Sequence, residues 1–160
     1  MALRIVSLAE VPQQRELITD WLWQAFGSEN SRDFFASIIT SCLSGADLPL
    51  TFVALDGAQP VGTVGVWRCD LISRQDLFPW LAALYVAEEF RGRGLSEQLQ
   101  QHVIAWCQAH NYPGIWLYSA CADYYERFGW HYIGDALDYP DKLVRLYHKD
   151  ISVTSGTGAA

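Results

Sequence analysis

The chain has 160 residues, a formal net charge of −7 and an apolar fraction of 51%. That length suits one domain with a substantial core, and that apolar fraction excludes a disordered body. The acidic balance excludes a nonspecific nucleic-acid binder, which needs a basic face, and no apolar run reaches membrane-spanning length. The first residues lack the basic start and apolar middle of a signal peptide. The four cysteines, Cys42, Cys69, Cys107 and Cys121, show no close paired spacing, so reduced thiols in a cytoplasmic protein are expected. Cys107 and His110 share a helix, but no second pair completes a zinc site and no metal is expected.

Leu3–Val6 reads as a first strand. A helix is predicted from Pro12 to about Phe26, with Leu17, Ile18, Trp21, Leu22 and Ala25 along one stripe. Ser31 is placed to cap a second helix carrying Phe34, Phe35, Ile38, Ile39 and Cys42, ended by Gly45. Leu50–Leu55 and Pro60–Arg68 read as a hairpin around Asp56-Gly57. Cys69–Pro79 is a polar connection. Trp80–Val86 is almost continuously apolar, as a strand covered on both faces would be. A glycine-rich turn then opens a helix from Leu95 to about His110, closed by Asn111 and Pro113. Gly114–Tyr118 is another buried strand, a short helix surrounds Tyr125, and Trp130–Ile133 and Leu143–His148 are closing strands. A single domain over residues 1–150 is expected, with residues 151–160 as a fraying tail. The order of elements alone supports a mixed α/β, α+β-like class.

The chemistry concentrates after the Trp80 strand, in Arg91-Gly92-Arg93-Gly94-Leu95-Ser96. The first backbone N–H groups of a helix have no intrahelical partner and favour an anion. Gly92 and Gly94 let a ligand approach the backbone without meeting a Cβ, and two arginines add positive charge. A dinucleotide fold is disfavoured, because Glu97 stands where the third glycine of its fingerprint belongs. The segment resembles the acetyl-CoA-binding motif of the GNAT N-acetyltransferase superfamily: Arg or Gln, two residues, Gly, one residue, Gly or Ala. Ser96 departs from its last position, which implies a slightly tighter fit. A second stretch, Cys121 to Trp130, resembles the GNAT segment in which a short helix carries an aromatic–Tyr pair and ends at Gly129 before an aromatic residue.

The resemblance implies the GNAT fold over nearly the whole chain: a mostly antiparallel central sheet, split between two central parallel strands, with helices on both faces. It implies an acetyl-CoA-dependent N-acetyltransferase that moves an acetyl group to a primary amine of a small molecule or peptide by direct attack in a ternary complex. The alternative is a noncatalytic acyl-CoA-binding module on the same fold. By resemblance, the backbone of Leu84, Tyr85 and Val86 lies along the pantetheine arm. Arg91, Gly92, Arg93, Gly94, Leu95 and Ser96 surround the pyrophosphate, and Tyr125 assists the departing thiolate, with Tyr124 packing beside it. The acceptor region offers Trp21, Trp23, Phe26, Phe34, Phe35 and Trp80, of which Trp23, Phe35 and Trp80 are expected to contact the acceptor, with Asp20, Glu29 and Asp33 as an acidic rim. The general base stays open among Asp70, Glu29, the four histidines and a water relay. Without a strong base, low-pKa amines are the easier acceptors. A homodimer is an open option.

Overall fold

The computed structural model describes residues 3–44 and 47–153. Its elements run β1 (Leu3–Ser7), α1 (Arg15–Phe26), α2 (Arg32–Ser41), β2 (Leu50–Asp56), β3 (Gln59–Trp67), β4 (Trp80–Val86), α3 (Leu95–Ala109), β5 (Gly114–Ser119), β6 (His131–Asp138) and β7 (Lys142–Asp150). The described residues form one seven-stranded sheet in the order β1-β2-β3-β4-β5-β7-β6. Every neighbouring pair is antiparallel except β4 and β5. This is the mixed, split sheet that the sequence implies.

Helices cover both faces. Leu95, Leu99, Val103 and Cys107 on one side of α3 share a core with Phe52, Val64 and Leu117. Ile18, Leu22, Phe35 and Ile39 of α1 and α2 share another with Val53 and Leu55. Alternate residues of β2 thus serve opposite cores, which is why the central strands are apolar throughout. Gly57, at φ 61°, turns the β2–β3 hairpin, as Asp56-Gly57 predicts.

Several boundaries differ from the sequence reading. Pro12–Gln14 forms a separate 3-10 turn before α1. Ser31 occupies the N-cap position of α2 but makes no capping bond; its hydroxyl instead exchanges hydrogen bonds with the Ser28 backbone, 2.7 and 3.0 Å. Gly45, the expected stop of the second helix, lies outside the described residues. The closing hairpin is longer than predicted at both strands. Ile151, assigned to the tail, is buried in the α3 core and its N–H donates to the Pro113 carbonyl at 3.0 Å. Residues 154–160 of that tail lie outside the described residues.

The feature that shapes the site is in β4. Thr63 pairs with Tyr85 and Gly65 with Ala82, so Val64 faces two residues, Ala83 and Leu84. This is a β-bulge, which leaves the extra residue out of the ladder. Ala83 sits at φ 52° to make it. The alternation of faces breaks there: Leu81 and Leu84 belong to the α3 core, while Ala82 and Ala83 both lie with Cys42 and Ile38 on the α2 side. β4 and β5 form one ladder pair only, Trp80 opposite Trp116, and then part. A β-branched side chain is poorly tolerated at positive φ, so Ala83→Val should lower the free energy of unfolding by about 1–3 kcal/mol. Ala83→Gly should change it by less than about 1 kcal/mol. Equal losses in urea denaturation would contradict the left-handed bulge.

Candidate active site

α3 begins without a side-chain cap. Gly94, at φ 78°, is its N-cap residue, and the Gln98 amide donates to the Gly94 carbonyl at 3.2 Å. The amides of Leu95, Ser96 and Glu97 therefore face out of the helix end. Gly92 is also left-handed, at φ 77°, and a Cβ at either glycine would meet nothing within 4 Å. The turn is an open cradle of amides, suited to a phosphate group. Leu95 is itself buried, so only its backbone is available. The two arginines divide their work. Arg91 donates from Nε to the Val86 carbonyl at 2.8 Å and lies 5.4 Å from the Tyr85 ring centre, bracing the end of β4. Arg93 lies over Phe90 and is exposed.

The expected short helix around Tyr125 is one 3-10 turn, Tyr125–Phe128, closed by Gly129 at φ 88°. Three bonds fix it from β7: the Tyr147 hydroxyl and the Arg145 guanidinium donate to Glu126 Oε2 at 3.1 and 3.5 Å, and Lys149 Nζ donates to the Phe128 carbonyl at 2.6 Å. The Tyr125 ring stands edge-on to Tyr124, with centroids 4.9 Å apart. Burial pushes the Tyr125 hydroxyl well above the ordinary tyrosine pKa, and Tyr124 and Cys121 add to the effect. Tyr124 is more than packing, because its hydroxyl donates to Ser96 Oγ at 2.6 Å.

A cavity of about 1050 Å³ opens along the parting strands. Leu81, Ala83 and Leu84 of β4 line one side, and Leu117, Tyr118 and Ser119 of β5 the other. Tyr125 and Cys121 border it, as do Phe26, Phe34 and Phe35 from the first two helices. Asp70 and Asp138 supply its carboxylates, with Arg68 and Lys142 nearby on the wall. Burial, reinforced by the charge of Asp138, pushes the Asp70 carboxyl up to about 7. Burial likewise raises the Tyr118 hydroxyl, with both aspartates contributing.

Of the three expected acceptor contacts, Phe35 lines this cavity. Trp80 is 0% exposed and donates its indole N–H to the Leu77 carbonyl at 2.8 Å. It is a core residue, and the expectation that it touches the acceptor is corrected. Trp23 donates to the Ser28 carbonyl at 2.7 Å and packs with the α1–α2 core, away from the cavity lining. Phe34 and Phe26, at 61% and 54% exposure, are the aromatic wall in its place. The acidic rim is also relocated: Asp20 is paired with Arg32 at 2.8 Å, and neither Glu29 nor Asp33 reaches the cavity. Sequence reasoning held Asp70 as one base among several and did not single out Asp138. The signal that separates them, their convergence across the sheet, exists only in three dimensions.

All four cysteines are free thiols. No group of three or more metal-ligating side chains occurs among the described residues, nor is any described helix long and apolar enough to cross a membrane.

No curated protein is significantly similar to the chain in sequence. Its shape has many counterparts. A putative acetyltransferase of the GNAT family from Desulfovibrio desulfuricans superposes with a TM-score of 0.76 at 14% identity, covering 94% of this chain and 100% of that one. An aminoglycoside 6'-N-acetyltransferase complexed with coenzyme A gives 0.72 at 14%, over 94% and 98%. The ribosomal-protein-S18-alanine N-acetyltransferase from Escherichia coli gives 0.69 at 16%, over 95% and 96%. A model of the acetyltransferase (GNAT) family matches residues 15–130. With the split sheet, the bulged β4 and the amide cradle already in place, that match over most of the chain makes it a member of the GNAT family of N-acetyltransferases.

Proposed function

We propose that this enzyme transfers the acetyl group of acetyl-CoA to a primary amine of a small molecule or peptide by direct attack. The observation that carries the reading is that the gap between β4 and β5, the Tyr125 turn and Asp70 border one cavity. The cradle at the start of α3 fits a diphosphate: its amides are unpaired, and both glycines leave open space where a side chain would intrude. Leu84, Tyr85 and Val86 offer the backbone beside the gap, as a pantetheine arm requires.

The bound thioester supplies an acyl carbon open to amine attack and a thiolate leaving group. The chain supplies three things around it. The bulge at Ala83 withdraws β4 backbone from the β3 ladder, and an amide so released is the available donor for the acyl oxygen. Tyr125 offers its hydroxyl to the departing sulfur. A free thiol has a pKa near 8.5 and tyrosine near 10, and burial raises Tyr125 further. Full proton transfer to the thiolate is therefore uphill, and Tyr125 acts as a hydrogen-bond donor rather than an acid. Asp70 takes one proton of the attacking ammonium, and the second, released as the C–N bond forms and the C–S bond breaks, goes to the departing thiolate.

The Asp70 pKa of about 7 ranks acceptors. Moving a proton to it from an α-amino group, pKa near 8, costs only about 1.4 kcal/mol, whereas from a lysine-like amine, near 10.4, it costs about 4.6 kcal/mol. Acceptors with low-pKa amines and an apolar or aromatic body suit this wall of Phe26, Phe34 and Phe35. The similar Escherichia coli enzyme, named for an alanine acceptor, agrees in kind.

The test is free-thiol release across a panel of amines, peptides and antibiotics. Tyr125→Phe should reduce kcat on the order of 10²-fold while calorimetry shows CoA binding retained. Binding by the wild type without turnover on any amine would contradict the enzymatic reading. At saturating amine, kcat should rise roughly tenfold between pH 6 and 8 as Asp70 ionises, and Asp70→Asn should lose that limb. Stability supplies an independent check. The folded carboxyl keeps its proton up to about pH 7, while an unfolded aspartate releases it near 3.9. The folded state thus binds more protons between those values, and stability falls as pH rises through that window. Asp70→Asn should raise Tm at pH 8 and leave it nearly unchanged at pH 4; no gain at pH 8 would refute a buried, reluctant carboxyl.

A further inference from the structure

Ser96 stands where the family's cofactor motif carries Gly or Ala, and it is the hub of a side-chain chain that neither of those residues could make. The Trp130 indole N–H donates to Gln100 Oε1 at 3.0 Å. An indole nitrogen can only donate, so it fixes the orientation of the Gln100 amide and turns Nε2 toward α3's first turn. Nε2 donates to Ser96 Oγ at 3.3 Å. From the other side, the Tyr124 hydroxyl donates to the same oxygen at 2.6 Å. Gln100 is 1% exposed and Trp130 is buried, so the inner half of the chain is dry and costly to break.

The two ends of this chain belong to the two halves of the site. Ser96 is the second residue of α3, and its amide is one of those facing the cradle. Tyr124 precedes the 3-10 turn and packs edge-on against Tyr125.

We propose that Ser96 and Tyr124 are positioning residues that lock the Tyr125 turn to the cofactor cradle, so that an anion seated at the start of α3 and the Tyr125 hydroxyl share one register. The link rests on the function proposed above for Tyr125. Ser96 acts through Tyr124, and Tyr124 acts through its ring on Tyr125. Misplacing a reacting group by a fraction of an ångström to one ångström costs up to about 10²-fold in rate, which sets the scale of the effect.

The experiment compares wild type, Ser96→Ala, Ser96→Thr, Tyr124→Phe, Tyr125→Phe and the double variant Ser96→Ala/Tyr125→Phe. Each is measured for CoA affinity by calorimetry, for kcat by thiol release, and for amide hydrogen exchange of residues 121–130 with and without CoA. Ser96→Ala and Tyr124→Phe should keep the CoA Kd within about threefold and lower kcat roughly tenfold. CoA should protect residues 121–130 in the wild type; both variants should abolish that protection, and Ser96→Thr, which keeps the hydroxyl, should retain it. Added to Tyr125→Phe, Ser96→Ala should cost less than about twofold more. Wild-type protection in Ser96→Ala, an effect on CoA affinity alone, or independent multiplication with Tyr125→Phe would each overturn the proposal. A wild type that binds CoA but never releases thiol would sink the role of Tyr125; the exchange data would still decide whether Ser96 couples the two elements.

Discussion

β4 and β5 meet at one ladder pair and then separate, and the separation coincides with a backbone irregularity in β4. A bulge opposite Val64 tilts the strand, and Ala83 accepts a left-handed backbone to form it. Such a conformation in a non-glycine residue costs on the order of 1 kcal/mol, and it persists because both faces of the strand are clamped by helices. Opening a sheet in its middle would ordinarily leave ladder groups unsatisfied. Here the gap instead becomes the wall of a cavity that Tyr125 borders. The site therefore follows from a defect in the sheet that the surrounding cores make affordable.

Electrostatics divide the site into two regions. The α3 end is rich in N–H groups and carries Arg93 exposed, in a chain whose net charge is −7. The cavity holds Asp70 and Asp138 among aromatic rings, with Arg68 and Lys142 on the same wall. Burial, with the charge of Asp138 adding to it, makes Asp70 harder to ionise, which converts an ordinary carboxylate into a group poised near neutral pH.

Much of this was legible from the sequence because it is local. The Gly92/Gly94 turn, the amphipathic α3, the Asp56-Gly57 hairpin and the left-handed Gly129 each depend on a few neighbouring residues, and each is found. The sites that were misread depend on which face a side chain takes. Trp80 lies at the head of the strand beside the cavity, yet its side chain points into the core formed with Leu71 and Leu146. Trp23 sits off the main helical stripe but is folded back by its bond to Ser28. The bulge itself is invisible in an apolar run, and so is the swap of faces that it causes. Asp70 and Asp138 lie far apart in the sequence and meet only because the β6–β7 hairpin folds alongside the connection after β3. Tyr124 looked like a spare aromatic residue because nothing in the linear order places it opposite Ser96.

The central claim is that α3's first amides and the backbone of β4 hold the donor along the gap between the two strands. A titration of uniformly 15N-labelled protein with CoA tests it without any need for turnover. The largest shifts should fall on the amides of Leu84 to Val86 and Gly92 to Glu97, with smaller ones over residues 121–130, all saturating together at a single affinity. Shifts that leave those amides unmoved, or that centre on another face of the sheet, would contradict the account.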